Sequence, residues 1–172
     1  MSFSRQTQSR HGVMVCIDGK GVLISGKAGI GKSSLALELI CQGHQLVADD
    51  VVELSVENSR LIAACPDMLK GLLHSRELGL IDVNNVLGKQ VWQTRCQLDL
   101  LLELTEVPVT NHALTANISS SRILGHPVPL LYLSIHNPAT LANRLQTWLK
   151  MHAQQLDGEA EIKRRQQQLM QQ

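Results

Sequence analysis

Short apolar runs separated by glycine and polar residues fill the first half of the chain. Two of these runs, at residues 11–17 and 21–25, flank Asp18-Gly19-Lys20, and an Asp-Gly pair between apolar runs is typical of a β-hairpin. The run at 46–54 is mostly apolar and predicts one largely buried strand that contains the adjacent acids Asp49 and Asp50. Further strands are predicted near residues 91–97, 98–104 and 128–135.

Two helical patterns lie between these strands. Residues 33–41 predict a helix that is stopped by Gly43. Pro66 suits the first turn of a short helix, which is predicted over residues 67–73. The segment 75–89 is predicted to be mostly loop.

The C-terminal part of the chain has a third helical pattern. Asn137 offers an N-cap and Pro138 a first-turn residue, so a helix is predicted over residues 137–157. Its apolar face consists of Leu141, Leu145, Trp148, Leu149, His152 and Leu156. Residues 158–172 are polar and rich in glutamine, which predicts a tail that frays or is stabilised by a partner.

The overall composition is that of an ordinary globular domain. The 172 residues are 44% hydrophobic and 18% charged, which is enough for a hydrophobic core, and no internal repeat or linker divides them. Sixteen Lys and Arg residues balance fifteen Asp and Glu residues, and the few aromatic rings provide no base-stacking surface. We therefore expect no nucleic-acid partner and no anionic membrane surface as a partner. No apolar run reaches the roughly 20 residues of a membrane span, and no signal-peptide core is found.

The cysteines show neither disulfide nor metal-binding spacing. Each lies in an apolar segment, so all four are predicted to be buried free thiols: Cys16, Cys41, Cys65 and Cys96. Free thiols and the absence of a membrane or export signal together favour a soluble, cytoplasmic protein.

One glycine-rich segment matches a phosphate-binding pattern. Gly26-Lys27-Ala28-Gly29-Ile30-Gly31-Lys32-Ser33 fits G-x-x-x-x-G-K-[ST], in which the glycines let backbone N–H groups converge on phosphate oxygens. Lys32 supplies a charge for the β- and γ-phosphates, and the Ser33 hydroxyl can bind Mg²⁺. The alternative is a chance glycine loop, but the motif lies between a predicted strand and a predicted helix, as phosphate binding requires. All eight residues are therefore predicted to bind a nucleotide, and the fold class to be an α/β P-loop domain whose central β-sheet is flanked by helices.

Two adjacent acids follow this P-loop. Asp49 and Asp50 lie 17 and 18 residues after Lys32, at the end of a predicted neighbouring strand. A carboxylate there can bind Mg²⁺ or accept a proton from an attacking hydroxyl. Strand alternation directs the two side chains to opposite faces, which predicts different roles for them. The alternative is a strand-end turn with two solvated acids.

Several segments together resemble the HPr kinase/phosphorylase family, in particular the catalytic C-terminal domain in its short proteobacterial form. They are His11-Gly12-Val13, the P-loop ending in Gly-Ile-Gly-Lys-Ser, and Gly43-His44-Gln45-Leu46-Val47-Ala48-Asp49-Asp50. Arg76-Glu77-Leu78-Gly79-Leu80-Ile81-Asp82-Val83 resembles the family's R-G-x-G-I-I-D-V signature, and residues 123–129 give a weaker match. The similarity covers residues 10–135, and residues 1–172 are expected to form one such domain.

The resemblance implies an HPr kinase/PEP carboxykinase-like fold and an enzyme that phosphorylates a serine of HPr, the phosphocarrier protein of the sugar phosphotransferase system. It also implies the reverse phosphorolysis, with ATP or pyrophosphate as donor, Mg²⁺ as cofactor and a hexameric assembly. By the same resemblance Asp49 would accept the proton, Lys32 would hold the transferring phosphate, and His11 would be the catalytic partner of the acidic pair. Ser33 would hold Mg²⁺, with Asp50 as a candidate acid beside it. Glu77, which stands where the family has glycine, is a further candidate and not a family ligand.

The chain departs from the family pattern at three places. His74 stands where the family has a magnesium-binding glutamate. No arginine follows the strand at 101–104 before Arg122, although the family has a transition-state arginine in that region. Residues 134–139 lack both arginines of the family's dephosphorylation segment. Arg122, Arg95 and Arg76 are therefore the candidates for the missing catalytic cation, with a structural salt bridge as the alternative for Arg76.

Two other functions remain open at this level. A kinase for a different substrate would use the same phosphate-binding loop. A nucleotide-binding regulator with little catalysis would explain His74 and the missing arginines.

Overall fold

A computed structural model describes residues 6–116 and 118–171. The strands are β1 (Thr7–His11), β2 (Val13–Ile17), β3 (Lys20–Ser25), β4 (Gln45–Ala48), β5 (Val51–Glu57), β6 (Arg60–Ala64), β7 (Leu72–Ser75), β8 (Gly79–Asp82), β9 (Arg95–Thr105), β10 (Ser119–Ile123) and β11 (His126–Ser134). The helices are α1 (Lys32–Cys41), α2 (Val83–Leu87), α3 (Leu141–Ala153) and α4 (Gly158–Met170), and short 3₁₀ turns occupy Asp67–Leu69 and Lys89–Val91.

Nine strands form one mixed sheet, in which β1, β5, β6, β9, β3, β2 and β4 are neighbours in that order. The long strand β9 pairs with different strands along its length. Its first residues pair with β6, and its last residues pair with β11, which in turn pairs with β10. Strands β3, β9 and β11 are parallel, and β4 runs in the same direction because both β3 and β4 are antiparallel to β2. The carboxyl ends of β3, β4 and β9 therefore lie at one edge of the sheet, where ligands bind in open α/β folds.

Alternating side chains of the central strands enter two hydrophobic clusters. On β2, Val13, Val15 and Ile17 face the first cluster, which includes the buried faces of α1 and α3. Met14 and Cys16 face the second cluster, which includes residues of β5, β6, β10 and β11. The α/β class with a central sheet flanked by helices is confirmed, with α1 and α3 on one face and further strands covering the other.

The β2–β3 hairpin and the helix after the P-loop form as predicted, but the run at 46–54 is not one strand. It divides into β4 and β5 because Asp50 adopts a positive φ of 68° and the Val51 N–H bonds to the Asp49 carbonyl at 2.8 Å. Conversely, the predicted strand at 98–104 and the last three residues of the one at 91–97 form a single strand, β9, since no turn residue separates them. The prediction is wrong for residues 91–94, which precede this strand. Strands β1 and β10 were not predicted, whereas β11 was.

The segment between β6 and β9 also differs from the prediction. The helix expected over 67–73 is reduced to one 3₁₀ turn, because Lys70 is extended and Gly71 has a φ of 71°. The expected loop at 75–89 contains β8 and α2, and β7 and β8 pair with each other as a separate two-stranded sheet. We call this β7–β8 pair the cleft hairpin.

The C-terminal helical region is divided into two helices. Helix α3 begins at Leu141, four residues later than predicted, because the Thr140 hydroxyl accepts a hydrogen bond from the Asn143 N–H and caps it. Helix α4 follows with Asp157 as its N-cap, so residues 158–170 are helical rather than frayed. Hydrogen bonds from Arg164 and Arg165 lower the pKa of Glu161 to about 2.

The cysteine prediction is confirmed for two of the four thiols. Cys16 and Cys65 are buried, and burial raises the pKa of the Cys65 thiol to about 11. Cys96 is half-buried, and the prediction is wrong for Cys41, which ends α1 and is exposed. Within the described ranges, no helix is both long enough and apolar enough to cross a membrane.

Candidate active site

The P-loop connects β3 to α1 at the carboxyl edge of the sheet. Its three glycines all have positive φ values, and a Cβ on Gly26 would lie 2.9 Å from the Leu104 carbonyl oxygen. Only glycine satisfies both conditions without strain. No side chain caps the N-terminus of α1, so the first N–H groups of this helix remain available to an anion.

The two lysines of the loop differ in their contacts. Lys32 folds over the loop, where its Nζ donates to the carbonyl oxygens of Gly26 at 2.9 Å and Lys27 at 3.1 Å. Lys27 extends away to Glu106, with 2.5 Å between its Nζ and Oε2. Lys32 is therefore the lysine whose charge lies over the loop, whereas the Lys27 side chain is held by Glu106.

Asp49 lies beside the P-loop serine and is nearly buried. Its Oδ1 accepts hydrogen bonds from the Ser33 hydroxyl at 3.2 Å and from the Asp50 N–H at 3.0 Å. Its Oδ2 accepts a hydrogen bond from the backbone N–H of His74 at 2.7 Å. Three donors thus fix this carboxylate against Ser33, at the phosphate end of the site.

Asp50 points in a different direction from Asp49, as predicted. Its Oδ1 lies 3.4 Å from His11 Nδ1, and both side chains are exposed. The Asp50 carbonyl accepts a hydrogen bond from the Gly12 N–H at 3.2 Å, which ties this turn to the segment joining β1 and β2. The structure therefore brings His11 to Asp50, and it brings Ser33 to Asp49 rather than to Asp50.

The cleft hairpin faces the P-loop and α1 across a cleft of about 550 Å³. His74, Arg76 and Glu77 of this hairpin and its turn line the cleft opposite Lys32 and Ser33. The Arg76 guanidinium packs on Gly29, where its Nη2 would be 2.7 Å from a Cβ at that position. An arginine is thus placed directly against the phosphate-binding loop.

The other candidate arginines lie elsewhere. Arg95 forms an ion pair with Glu57, and Arg122 donates to the Gly125 carbonyl at 3.0 Å. In contrast, Arg76 forms no salt bridge with any residue that the structure describes. Of the three candidates, only Arg76 lines the cleft.

Two acids at the end of β9 were not predicted. The Ser25 hydroxyl donates to Glu103 at 2.5 Å, and Glu106 holds Lys27 as described. The sequence does show two acids near the end of a predicted strand. It does not show that this strand adjoins the P-loop, which only the pairing of β9 with β3 reveals. Through Ser25 and Lys27, both acids join the end of β9 to the start of the loop.

The oxygen atoms near Ser33 suit a hard cation only when a bound ligand completes the coordination shell of that cation. Hydroxyl and carboxylate oxygens of Ser33, Asp49 and Glu77 suit Mg²⁺, which usually takes one or two protein groups and completes its shell with phosphate and water. In the described part of the chain, no three His, Cys, Asp or Glu residues form a metal-binding group by themselves. The site is therefore suited to a cation that arrives with a nucleotide.

Comparisons with known proteins find one family model and several related proteins. The family model described as HPr Serine kinase C-terminal domain matches residues 2–169. The HPr kinase/phosphorylase of Leptothrix cholodnii is 36% identical over 91% of this chain and 49% of its own length. That of Levilactobacillus brevis is 38% identical over 80% of this chain and 45% of its own length. The chain thus spans about half the length of these relatives.

A solved structure shows the same fold. The HPr(Ser) kinase/phosphatase from Coxiella burnetii superposes with a TM-score of 0.81 and 34% sequence identity. The match covers 91% of this chain and 97% of the other. The similarity therefore extends over nearly all of both chains.

Proposed function

The chain belongs to the family of HPr serine kinase C-terminal domains, and from this membership we propose that it phosphorylates a serine of HPr with ATP as donor. The observation that supports this most directly is the cleft in which Lys32, Asp49 and Arg76 surround one phosphate-binding loop. Catalysis of phosphoryl transfer consists mainly of positioning and electrostatic stabilisation, and these three groups supply both.

In the forward reaction, the serine oxygen of HPr bonds to the γ-phosphorus while the bond from phosphorus to the β–γ bridging oxygen breaks. ADP leaves, and the proton of the serine hydroxyl passes to the Asp49 carboxylate. Lys32 exchanges its two carbonyl acceptors in the loop for phosphate oxygens. Arg76 neutralises charge on the transferring group from the opposite side of the cleft.

Mg²⁺ would be held by Ser33 together with Glu77, which lines the same cleft. When bound, it would neutralise charge on the phosphate oxygens. Asp50, which the sequence places in the metal set, contacts His11 instead. We therefore propose that the His11–Asp50 pair lies on the side where the acceptor protein approaches.

The same groups can act in reverse. A phosphate oxygen bonds to the phosphoserine phosphorus while the bond from phosphorus to the serine oxygen breaks. Pyrophosphate leaves, and the serine oxygen takes the proton from protonated Asp49. The missing arginines at 134–139 make this the slower direction in the proposal. The proposal also includes a cytoplasmic location, a single domain over residues 1–172 and a hexameric assembly.

The test is the intact mass of HPr after incubation with the protein, ATP and Mg²⁺. We expect the gain of one phosphoryl group on a serine, and its loss when Lys32 is replaced by alanine. Lys27→Ala is the matched control, because its side chain is bound to Glu106 and not directed at the phosphates.

Other outcomes separate the alternatives. ATP binding without transfer to HPr would indicate a regulator or a kinase for another substrate. Full activity in the Lys32→Ala variant would overturn the assignment of the P-loop.

A further inference from the structure

The cleft extends well beyond the phosphate-binding groups. Leu37 and Cys41 line it on the exposed side of α1, and Leu78 lines it from the turn of the cleft hairpin. At 1.5 Å per residue, Cys41 is about 13 Å further along the helix axis than Lys32. We call the part lined by Leu37, Glu38, Cys41 and Leu78 the distal end of the cleft.

The distal end differs in chemistry from the phosphate end. Leu37 is half-buried, whereas Leu78 is an apolar side chain that is 68% exposed. Glu38 is half-buried, and its carboxylate has no hydrogen bond or ion pair with any of the described residues. A carboxylate without a cation repels phosphate, while it accepts hydrogen bonds from N–H and O–H groups.

We propose that the distal end binds the nucleoside of the nucleotide, with the base between Leu37 and Leu78 and with Glu38 accepting hydrogen bonds from the nucleoside. This inference rests on the proposed function, because it requires the phosphates to lie at the P-loop. It also fixes the direction of the bound nucleotide: the phosphates point to Lys32 and Asp49, and the base points to Cys41. Burial against the base explains why a leucine is exposed at the turn of the hairpin.

Cys41 provides the test, because it is the exposed cysteine of the four. Native protein is treated with iodoacetamide, and the rate of alkylation at Cys41 is followed by peptide mass in the presence of saturating ADP or saturating inorganic triphosphate. We expect ADP to slow alkylation at least tenfold and triphosphate to change it less than twofold, since triphosphate fills only the phosphate end. Cys41→Ser identifies the labelled site.

The results that would overturn the inference are specific. Equal protection by ADP and triphosphate, or no protection by either although both bind, would place the nucleoside elsewhere and leave the proposed function intact. If calorimetry detects binding of neither ligand, the proposed function fails as well.

A pair of leucine variants gives a second measurement. Leu78→Ala should weaken ADP binding about five- to tenfold and leave triphosphate binding within twofold, because only the base loses apolar contact. Leu80→Ala is the matched control: Leu80 is 66% exposed on the same hairpin but does not line the cleft. Equal effects of the two substitutions on ADP binding would contradict the proposal.

Discussion

The two sides of the cleft are built differently, although both contribute charged groups to the same site. The P-loop side is formed by β3, β4 and α1, whose core residues such as Ile24 and Leu39 are fully buried. The opposite side is the cleft hairpin, whose two four-residue strands pair only with each other within the described residues. On the first side, hydrogen bonds and buried strands fix each functional group. On the second, Arg76, Glu77 and Leu78 are exposed, and exposed side chains adjust readily to different ligands.

One hydrogen bond joins the two sides at the reacting end. The His74 N–H of the hairpin donates to Asp49, the acid that also accepts from Ser33. Asp49 therefore holds the two sides together in addition to its proposed role as proton acceptor, and the predictions below separate these two functions.

The largest effect is expected for Asp49→Asn. An amide still accepts hydrogen bonds on one oxygen but cannot take up the serine proton, so transfer should fall by about 10²- to 10⁴-fold. Nucleotide affinity should change little, because the P-loop is intact. Initial transfer rates and ADP titration calorimetry measure the two quantities separately.

Asp50→Asn is the matched control for that substitution. Its side chain contacts His11 at the exposed side of the turn, so a smaller loss of transfer is expected. An equal or larger loss with Asp50→Asn would move the proton acceptor to the His11–Asp50 pair.

The next effect concerns how the hairpin is attached. Leu73 is fully buried in the cluster that contains α1, and truncation of such a residue costs about 2–5 kcal/mol. Leu73→Ala should therefore lower the free energy of unfolding by that amount in urea denaturation. Leu80→Ala, on the exposed side, should change it by less than about 0.5 kcal/mol. Similar costs for both leucines would mean that the hairpin is not anchored through Leu73.

A smaller effect is expected for Arg76→Ala. A hydrogen bond to a charged group contributes about 1.5–3 kcal/mol, so transfer should slow by about 10- to 150-fold. Because the guanidinium packs on Gly29, the loss should appear in kcat more than in the KM for ATP. Arg122→Ala, whose side chain bonds to Gly125, should retain full activity. A normal kcat in Arg76→Ala would show that Arg76 is not the cation that neutralises charge on the transferring phosphate.

The P-loop side of the site could be predicted from the sequence because its chemistry is local. A phosphate cradle needs glycines, Lys32 and Ser33 within eight consecutive residues, and the β2–β3 hairpin is defined by its own turn. The break at Asp49–Asp50 could not be predicted, since apolar residues flank the two acids on both sides and no glycine or proline marks a turn. Bonds from Ser33 and His74, which are distant in sequence, hold Asp49 where the chain turns.

The cleft hairpin was missed for a related reason. Its strands are only four residues long, and β7 has a single fully buried residue, Leu73, so the period-two pattern is too short to detect. The packing of Arg76 on Gly29 joins two segments that no local pattern connects. The family signature drew attention to Arg76, and Glu77 was noted as a departure from it, but only the fold shows which of the arginines faces the loop.

The smallest effect is expected at the end of the hairpin, where Asp82 caps α2. Its carboxylate accepts from the Asn85 N–H at 3.1 Å and from the Asn85 side-chain amide at 2.7 Å. Asp82→Ala should lower the free energy of unfolding by about 0.5–2 kcal/mol. Thr140→Ala removes the corresponding cap of α3 and should cost a similar amount in urea denaturation. The two caps lie at different places relative to the cleft, because α2 continues directly from β8, whereas no residue of α3 lines the cleft. If α2 only supports the hairpin, ADP affinity should stay within twofold in both. Weaker ADP binding in Asp82→Ala alone would show that the position of the cleft hairpin, and not only its side chains, depends on this cap.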